Sequence, residues 1–161
     1  MIDTGDGLIL IDPGYENTLY LVLDSIYKLG FRPEDIKYIV NTHWHWDHTE
    51  STRAMVELSG AKTLIGREDF EKAKRFFDAD ILISEGDTLT LGNTTISFIE
   101  TPGHTKGTIS FFSFRSALSR RGCLALRRFI CPSSDIIGMP AMKSNAIWAF
   151  AIMKSISPRY F

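Results

Sequence analysis

A cluster of metal-binding side chains in one short segment constrains this chain more than any other feature. Residues 42–48 read Thr-His-Trp-His-Trp-Asp-His, so three histidines and one aspartate lie within six positions. The whole chain has only four histidines, and chance does not account for three of them lying together. Neutral imidazoles and carboxylates are the ligands that zinc accepts where thiolates are absent. We therefore expect a metal site that includes His43, His45, Asp47 and His48, held in place by a rigid scaffold.

The fourth histidine lies in a loop between two predicted strands. Residues 101–108 read Thr-Pro-Gly-His-Thr-Lys-Gly-Thr, with His104 after a Pro-Gly pair. Rigid strands commonly present functional loops of this kind. A single loop histidine would usually face solvent, but beside the first cluster it becomes a fifth candidate ligand.

Residues 1–112 alternate between strand-like and helix-like patterns. Short apolar or alternating runs predict strands, whereas apolar residues three and four positions apart predict helices, and Gly30 and Gly60 mark two helix ends. This alternation, followed by a hairpin, predicts a layered α/β domain. Strands are predicted at 8–11, 36–40, 62–65, 87–91, 94–100 and 108–112, and helices at 19–29, 51–59 and 67–77.

The pattern changes after residue 113. Residues 1–112 carry 10 basic and 18 acidic residues, a net charge of −8, whereas residues 113–161 carry 8 basic residues and one acidic residue, a net charge of +7. The second stretch keeps neither a clean helical nor a clean strand period. We expect 1–112 to form the metal-binding domain and 113–161 to be a divergent or aberrant C-terminal segment of the same domain. A shifted reading frame or a misassembled gene would explain an aberrant segment, and a C-terminal half with a basic surface would explain a divergent one.

Composition is typical of a globular protein of one domain. Of the 161 residues, 44% are apolar and 23% are charged. No apolar run approaches the roughly 18 residues of a membrane-spanning helix, and no secretory leader is evident, so we expect a cytoplasmic location by default. Cys123 and Cys131 do not form a zinc-ribbon spacing or establish a disulfide framework.

The two histidine motifs together resemble the signature of the metallo-β-lactamase superfamily. That signature is a His-x-His-x-Asp-His loop followed at a distance by Pro-Gly-His, and the resemblance extends over residues 5–112, including 7–14 and 85–89. It implies a layered α/β (α+β) fold. This fold is an αβ/βα sandwich, in which metals bind at one edge between the two sheets. Compared with the family pattern, the sandwich is expected to be incomplete at both ends.

The resemblance also implies a role for each side chain. His43, His45 and His104 correspond to the ligands of a first zinc ion. Asp47 and His48 correspond to ligands of a second metal, and Asp47 would also orient the attacking water as the catalytic residue. One or two zinc ions are expected, the second bound more weakly, with iron or manganese as alternatives.

The later part of the family pattern is only partly present. A bridging aspartate and a final ligand histidine normally follow the Pro-Gly-His strand, but no histidine follows His104 in this chain. Asp135 is the only aspartate available for the bridging position, and it lacks the glycine that usually precedes it.

The resemblance implies a zinc-dependent hydrolase that uses a metal-activated hydroxide to cleave an amide, lactone, ester or thioester carbonyl. A β-lactam is the leading substrate, and a small molecule is the expected partner, with no nucleic acid or membrane and no predicted oligomeric state. Three alternatives stay open: a truncated, catalytically inert metal-binding fragment, a glyoxalase-II-like thioesterase, and a di-iron oxygen-reducing relative, although the flavin domain of that last class is missing here.

Overall fold

Two β-sheets stacked face to face form the framework of the chain. The computed structural model describes the backbone of residues 1–119 and 122–130 and the side chains of residues 1–114. The first sheet has five strands in the order β1-β2-β3-β4-β5, parallel except for β1, and the second has four antiparallel strands in the order β6-β7-β8-β9. The strands are β1 (Ile2–Asp3), β2 (Leu8–Ile11), β3 (Ile36–Asn41), β4 (Lys62–Gly66), β5 (Ile81–Ile83), β6 (Thr88–Leu91), β7 (Thr94–Glu100), β8 (Ile109–Ser119) and β9 (Gly122–Ile130).

The alternation of side chains along each central strand separates two apolar layers. Successive strand residues point to opposite faces of a sheet. In β2, Ile9 points toward the second sheet and packs in a core with Val40, Ile96 and Phe111. Its neighbour Leu8 packs on the other face, among helix residues. The central strands are therefore buried on both sides, which explains their nearly continuous apolar sequence.

Helices cover the outer face of the first sheet. Ile26 of the first helix and Met55 of the third are buried against that face. Within the described residues the layers are, in order, the helices, the first sheet and the second sheet. These correspond to the first three layers of the predicted αβ/βα sandwich. The helices are α1 (Leu19–Lys28), α2 (Trp46–Thr49), α3 (Thr52–Ser59) and α4 (Phe70–Ala73).

Most of the predicted elements are confirmed. The six predicted strands correspond to β2, β3, β4, β6, β7 and β8, and the first two predicted helices correspond to α1 and α3. Gly30 and Gly60 follow these helices with φ of 83° and 68°, a backbone conformation that glycine adopts without strain. Strands β1 and β5 were not predicted, since two or three residues are too short to show a period.

The predicted helix at 67–77 is wrong in its extent. A 3-10 turn over Arg67–Asp69 leads into α4, which has only four residues. The chain must then turn back toward β5, and Asp80 and Thr63 hold this return through hydrogen bonds of 2.7–3.1 Å. Helical spacing of the aromatic residues therefore reflects packing into a small core and not one continuous helix.

The predicted strand at 108–112 is too short at its carboxyl end. Strand β8 passes through position 113 and pairs with β9 from Phe111↔Ile130 to Ser119↔Gly122. Backbone pairing in a hairpin does not need alternating apolar side chains, so the sequence pattern gave no signal. Asp135 and the other residues beyond 130 lie outside the described residues.

Both histidine loops leave the sheets at one common edge. Residues 42–48 follow the carboxyl end of β3, and residues 101–108 connect β7 to β8. The backbone N–H of Ile109 donates to the carbonyl of Thr42 at 3.0 Å, which ties the start of β8 to the end of β3. In the described part of the chain the longest helix has ten residues, and none is long and apolar enough to cross a bilayer.

Candidate metal centre

Three histidines from the two loops converge at this edge. One ring nitrogen from each of His43, His45 and His104 lies within 4.8 Å of the other two. The ring centroids are 4.9 Å apart for His43–His45 and for His43–His104, and 4.6 Å apart for His45–His104. His43 is buried, His45 is half-buried and His104 is exposed, so the cluster opens to solvent on the His104 side.

Hydrogen bonds determine which nitrogen of His43 faces the cluster. The single hydroxyl proton of Thr42 goes to Asp12 Oδ2 at 2.6 Å. Thr42 Oγ1 can therefore only accept from His43 Nδ1, which lies 3.1 Å away. This leaves the lone pair on Nε2, which is buried and has no hydrogen-bond partner among the described residues. A buried nitrogen of this kind fits a metal ion, since buried polar atoms are normally paired.

The protonation of His43 suits metal binding. Burial, and secondarily the neighbouring His48, lower the pKa of His43 to about 4. Its ring is therefore neutral at pH 7, as a ligand must be. Burial, followed by the charge of His104, also lowers the pKa of His45.

His45 and His104 face each other directly. His45 Nδ1 lies 2.9 Å from His104 Nε2, although the two residues are 59 positions apart in sequence. Two ring nitrogens at this distance share at most one proton between them. With His43, they provide three imidazole donors whose ring nitrogens lie within 4.8 Å of one another.

Asp12 orients the second pair of candidate ligands. Its carboxylate accepts from the backbone N–H of Thr42 at 2.8 Å and lies 3.0 Å from His48 Nδ1. The hydrogen bond to Asp12 raises the pKa of His48, with burial acting against it. His48 Nε2 then lies 3.5 Å from Asp47 Oδ2. Asp12 has φ of 44°, the one positive φ outside glycine in the described residues, so this turn is held against local strain.

Asp47 and His48 lie beside the three-histidine cluster and not within it. The rings of His48 and His43 have centroids 4.0 Å apart, so the two groups of side chains are adjacent. The side chain of Asp47 is 41% exposed. Neither Asp12 nor the buried Asp69 lies in a histidine motif, so the motifs did not predict their contributions. The Asp-Pro-Gly turn at 12–14 was the only sequence signal for Asp12.

The two tryptophans of the histidine loop have different surroundings. Trp44 packs against the His45 ring at 4.4 Å, with the guanidinium of Arg75 over its face at 4.7 Å. Trp46 is 55% exposed and makes an edge contact of 5.0 Å with Tyr15. This aromatic pair lines an open groove of about 770 Å³ next to the loop.

The chain is similar in sequence to known metal-dependent hydrolases. The family description "Metallo-beta-lactamase superfamily" matches residues 1–118. A hydroxyacylglutathione hydrolase of Chelativorans sp. (strain BNC1) is 34% identical over 98 residues, which cover 61% of this chain and 36% of that protein. A probable metallo-hydrolase of Methanocaldococcus jannaschii is 28% identical over 145 residues, covering 80% of this chain and 69% of that protein.

A solved structure shares the fold. The subclass B3 metallo-beta-lactamase BJP-1 of Bradyrhizobium japonicum superposes with a TM-score of 0.68 at 30% identity, over 96% of this chain and 66% of that one. This chain spans about a third of the length of the hydroxyacylglutathione hydrolases that it matches. The match to the family covers both histidine motifs, the whole first sheet and the second sheet as far as residue 118 of β8, and we conclude that the chain belongs to the metallo-beta-lactamase superfamily.

Proposed function

We propose that this chain is a zinc-dependent hydrolase that cleaves an activated carbonyl, with His43, His45 and His104 holding the zinc ion. The observation that carries the proposal is the convergence of His43, His45 and His104, each with one ring nitrogen within 4.8 Å of the other two, together with a buried Nε2 on His43 that has no hydrogen-bond partner among the described residues. Three imidazoles with one position left open are a known catalytic arrangement for zinc. When bound, a zinc ion would polarise a carbonyl oxygen and lower the pKa of a bound water to about 7.

The exposed side of the cluster is where substrate would enter. His104 is exposed and Asp47 is 41% exposed, whereas His43 is buried against the sheet. As the proposed catalytic residue, Asp47 would accept a hydrogen bond from the attacking water and hold its proton, and its partial exposure supports this role. Asp47 and His48, with Asp12 orienting His48, would hold a second ion more weakly, because they offer only two donors.

Two substrate classes share the carbonyl chemistry that such a site performs. A β-lactam is favoured by the structural likeness to a subclass B3 metallo-beta-lactamase at 30% identity. A thioester is favoured by the likeness to hydroxyacylglutathione hydrolases at 34–40% identity. We give the β-lactam first, with the thioester as the second candidate. The same side chains would bind iron or manganese in place of zinc.

Metal content and turnover, measured together, test the proposal. The purified chain should contain one or two zinc ions, and it should hydrolyse a chromogenic β-lactam or an acyl thioester of glutathione in a way that a chelator abolishes and added zinc restores. The Asp47→Asn variant should retain the first ion and lose most of the turnover. Zinc binding with no turnover of either class would contradict the hydrolase and favour an inert metal-binding fragment. Absence of any bound metal after zinc loading would contradict the ligand set.

A further inference from the structure

The two loops that bring the histidines together come from different sheets. His45 follows a strand of the first sheet, whereas His104 lies between two strands of the second. Their ring nitrogens nevertheless lie 2.9 Å apart. Since small displacements of a loop would separate these atoms, some contact between the loops has to fix their spacing.

One buried carboxylate contacts both loops. Asp69 is 1% exposed and lies in the 3-10 turn after β4. Its Oδ2 accepts from the backbone N–H of Trp44 at 3.2 Å, between His43 and His45. The same oxygen accepts from the hydroxyl of Thr105 at 2.5 Å, and Oδ1 accepts from the backbone N–H of Gly107 at 2.9 Å. Asp69 therefore joins the residue between two of the histidines to residues that follow the third.

The hydrogen-bonding pattern around Asp69 is specific for a carboxylate. All three partners are donors, and an ionised carboxylate accepts at both oxygens without donating. The hydroxyl of Thr105 gives its proton to Asp69 and lies 2.7 Å from the hydroxyl of Thr108, which can donate in turn. An amide in the place of the carboxylate would present an N–H₂ group to at least one of these donors.

Close backbone packing leaves little freedom around this contact. A Cβ atom on Gly107 would lie 2.5 Å from the backbone nitrogen of Asp69 and 2.8 Å from its Cβ. A Cβ atom on Gly66 would lie 2.1 Å from the carbonyl oxygen of Gly107. The end of β4, the Asp69 turn and the His104 loop are therefore in direct contact, which only glycine permits at these two positions.

We propose that Asp69 is a positioning residue that fixes the separation of the two histidine loops and so sets the affinity of the centre for its metal. The effect of Asp69 on metal affinity rests on the proposed function. Its effect on the separation of the two loops applies to the chain with or without an ion. Asp69 contacts neither substrate nor metal in this account; it acts through Trp44, Thr105 and Gly107.

The Asp69→Asn variant tests both parts. In metal-free protein, hydrogen exchange of the Trp44 and Gly107 amides should become faster, because their acceptor is weakened or reversed. Zinc affinity, measured by competition with a chromophoric chelator, should fall by about 10- to 100-fold, the usual effect of losing a residue that supports a ligand. The visible spectrum of the cobalt-substituted protein should change as the donor arrangement loosens.

Asp80→Asn is the matched control. Asp80 Oδ2 also accepts two hydrogen bonds, both from Thr63 near the amino end of β4. Its loss should lower stability without changing zinc affinity, the cobalt spectrum or exchange at Trp44 and Gly107. Equal effects of the two variants on zinc affinity would overturn the proposal, because Asp69 would then contribute only general stability.

A second pair of variants covers the case in which Asp69→Asn does not fold. Thr105→Val removes the hydroxyl and should reproduce the loss of zinc affinity, whereas Thr105→Ser retains the hydroxyl and should restore it. Equal zinc affinity in Thr105→Val and the unmodified chain would contradict the proposal. If the unmodified chain binds no zinc, the proposed function fails. The link between the loops is tested separately, and it would be rejected by unchanged hydrogen exchange of the Gly107 amide in Thr105→Val.

Discussion

The donor atoms of the candidate metal centre depend on single hydrogen bonds next to the histidines. Thr42 and Asp12 together assign the proton of His43 to Nδ1 and leave Nε2 bare. Asp12 also lies 3.0 Å from His48 Nδ1, so one carboxylate orients two neighbouring imidazoles. Orientation by an outer partner is typical of metal-binding histidines. The chemistry of the centre is thus decided by residues that are not themselves candidate ligands.

Removing His43 and removing His48 are expected to affect zinc binding differently. The unmodified chain should show one tight and one weak step in a zinc titration. His43→Ala should weaken the tight step by more than the roughly 100-fold that loss of a supporting residue costs. His48→Ala should remove only the weak step. Two equally tight steps in the unmodified chain, or equal losses in the two variants, would contradict the division into a three-histidine site and a weaker Asp47–His48 site.

The metal-free chain should lose stability as the pH falls from about 6.5 to about 4. Burial, and after it His48, lower the pKa of His43 to about 4, whereas the unfolded chain takes up the proton near 6.5. The unfolded state then binds more protons in this range, so unfolding becomes easier on acidification, by on the order of 3 kcal/mol for this group.

Urea midpoints between pH 4 and pH 7, measured with a chelator present, check this pH dependence. His43→Asn removes the titrating ring and should flatten the profile. His48 acts in the opposite direction, because its raised pKa contributes stability at low pH that is lost as the pH rises. A profile unchanged by His43→Asn would show that other groups dominate.

The five candidate side chains of the site could be named from sequence, and the family resemblance also implied their division into two groups, but the residues that orient them could not be predicted. The spacing of 42–48 and the Pro-Gly-His motif were sufficient to name them. The hydrogen bonds that Asp12 accepts from Thr42, thirty positions later, and that Asp69 accepts from Thr105, 36 positions later, depend on how the sheets fold together. Such contacts leave no local periodicity, so a pattern of spacing does not contain them.

Short elements explain where the reading of secondary structure went wrong. Helix α4 has four residues, and Asp69, in the turn before it, accepts a hydrogen bond from Trp44 in the histidine loop. A long helix over 67–77 would carry the same apolar spacing but would not place Asp69 in a turn. Strand β8 extends past residue 113 because backbone pairing with β9 continues there. Tertiary contacts therefore set the ends of these elements more than propensity does.

A methyl group at Gly107 is expected to disrupt the junction between the Asp69 turn and the His104 loop. Its Cβ would lie 2.5 Å from the backbone nitrogen of Asp69, so Gly107→Ala should lower the free energy of unfolding by about 1–3 kcal/mol. Gly103→Ala, in the same loop, is the control, because no described atom lies within 4 Å of its added Cβ. Similar urea midpoints for the two variants would show that the junction can relax.

At the scale of the whole molecule, the stacking of the two sheets holds both loops at one edge. The layer between the sheets combines strands from both halves of the described chain, and the helices bury the opposite face of the first sheet. Alternation of strand and helix patterns was enough to predict these layers. Strand order and register were not predictable, because they depend on pairings such as Leu8↔Ile36 that lie far apart in sequence.

Truncation of a residue between the sheets should destabilise the entire framework. Ile9 is fully buried in the layer between the sheets, so Ile9→Ala is expected to lower the free energy of unfolding by about 2–5 kcal/mol. Leu29→Ala is the control, because Leu29 is 64% exposed and its loss should change stability by no more than about 0.5 kcal/mol. Equal effects in a urea titration would contradict the packing of the two sheets.

The exposed indole of Trp46 has an optical consequence. Trp46 opens helix α2 between His45 and Asp47, and its ring borders the groove shared with Tyr15. Indole emission shifts to shorter wavelength when water beside the ring is displaced. Trp44, packed on His45 beneath Arg75, is shielded from such a change. The chain also contains Trp148, outside the described residues, so the emission of Trp46 is obtained by difference from a Trp46→Phe variant. That difference is a native signal of occupancy in the groove, and it can be followed without attaching a label near the candidate ligands.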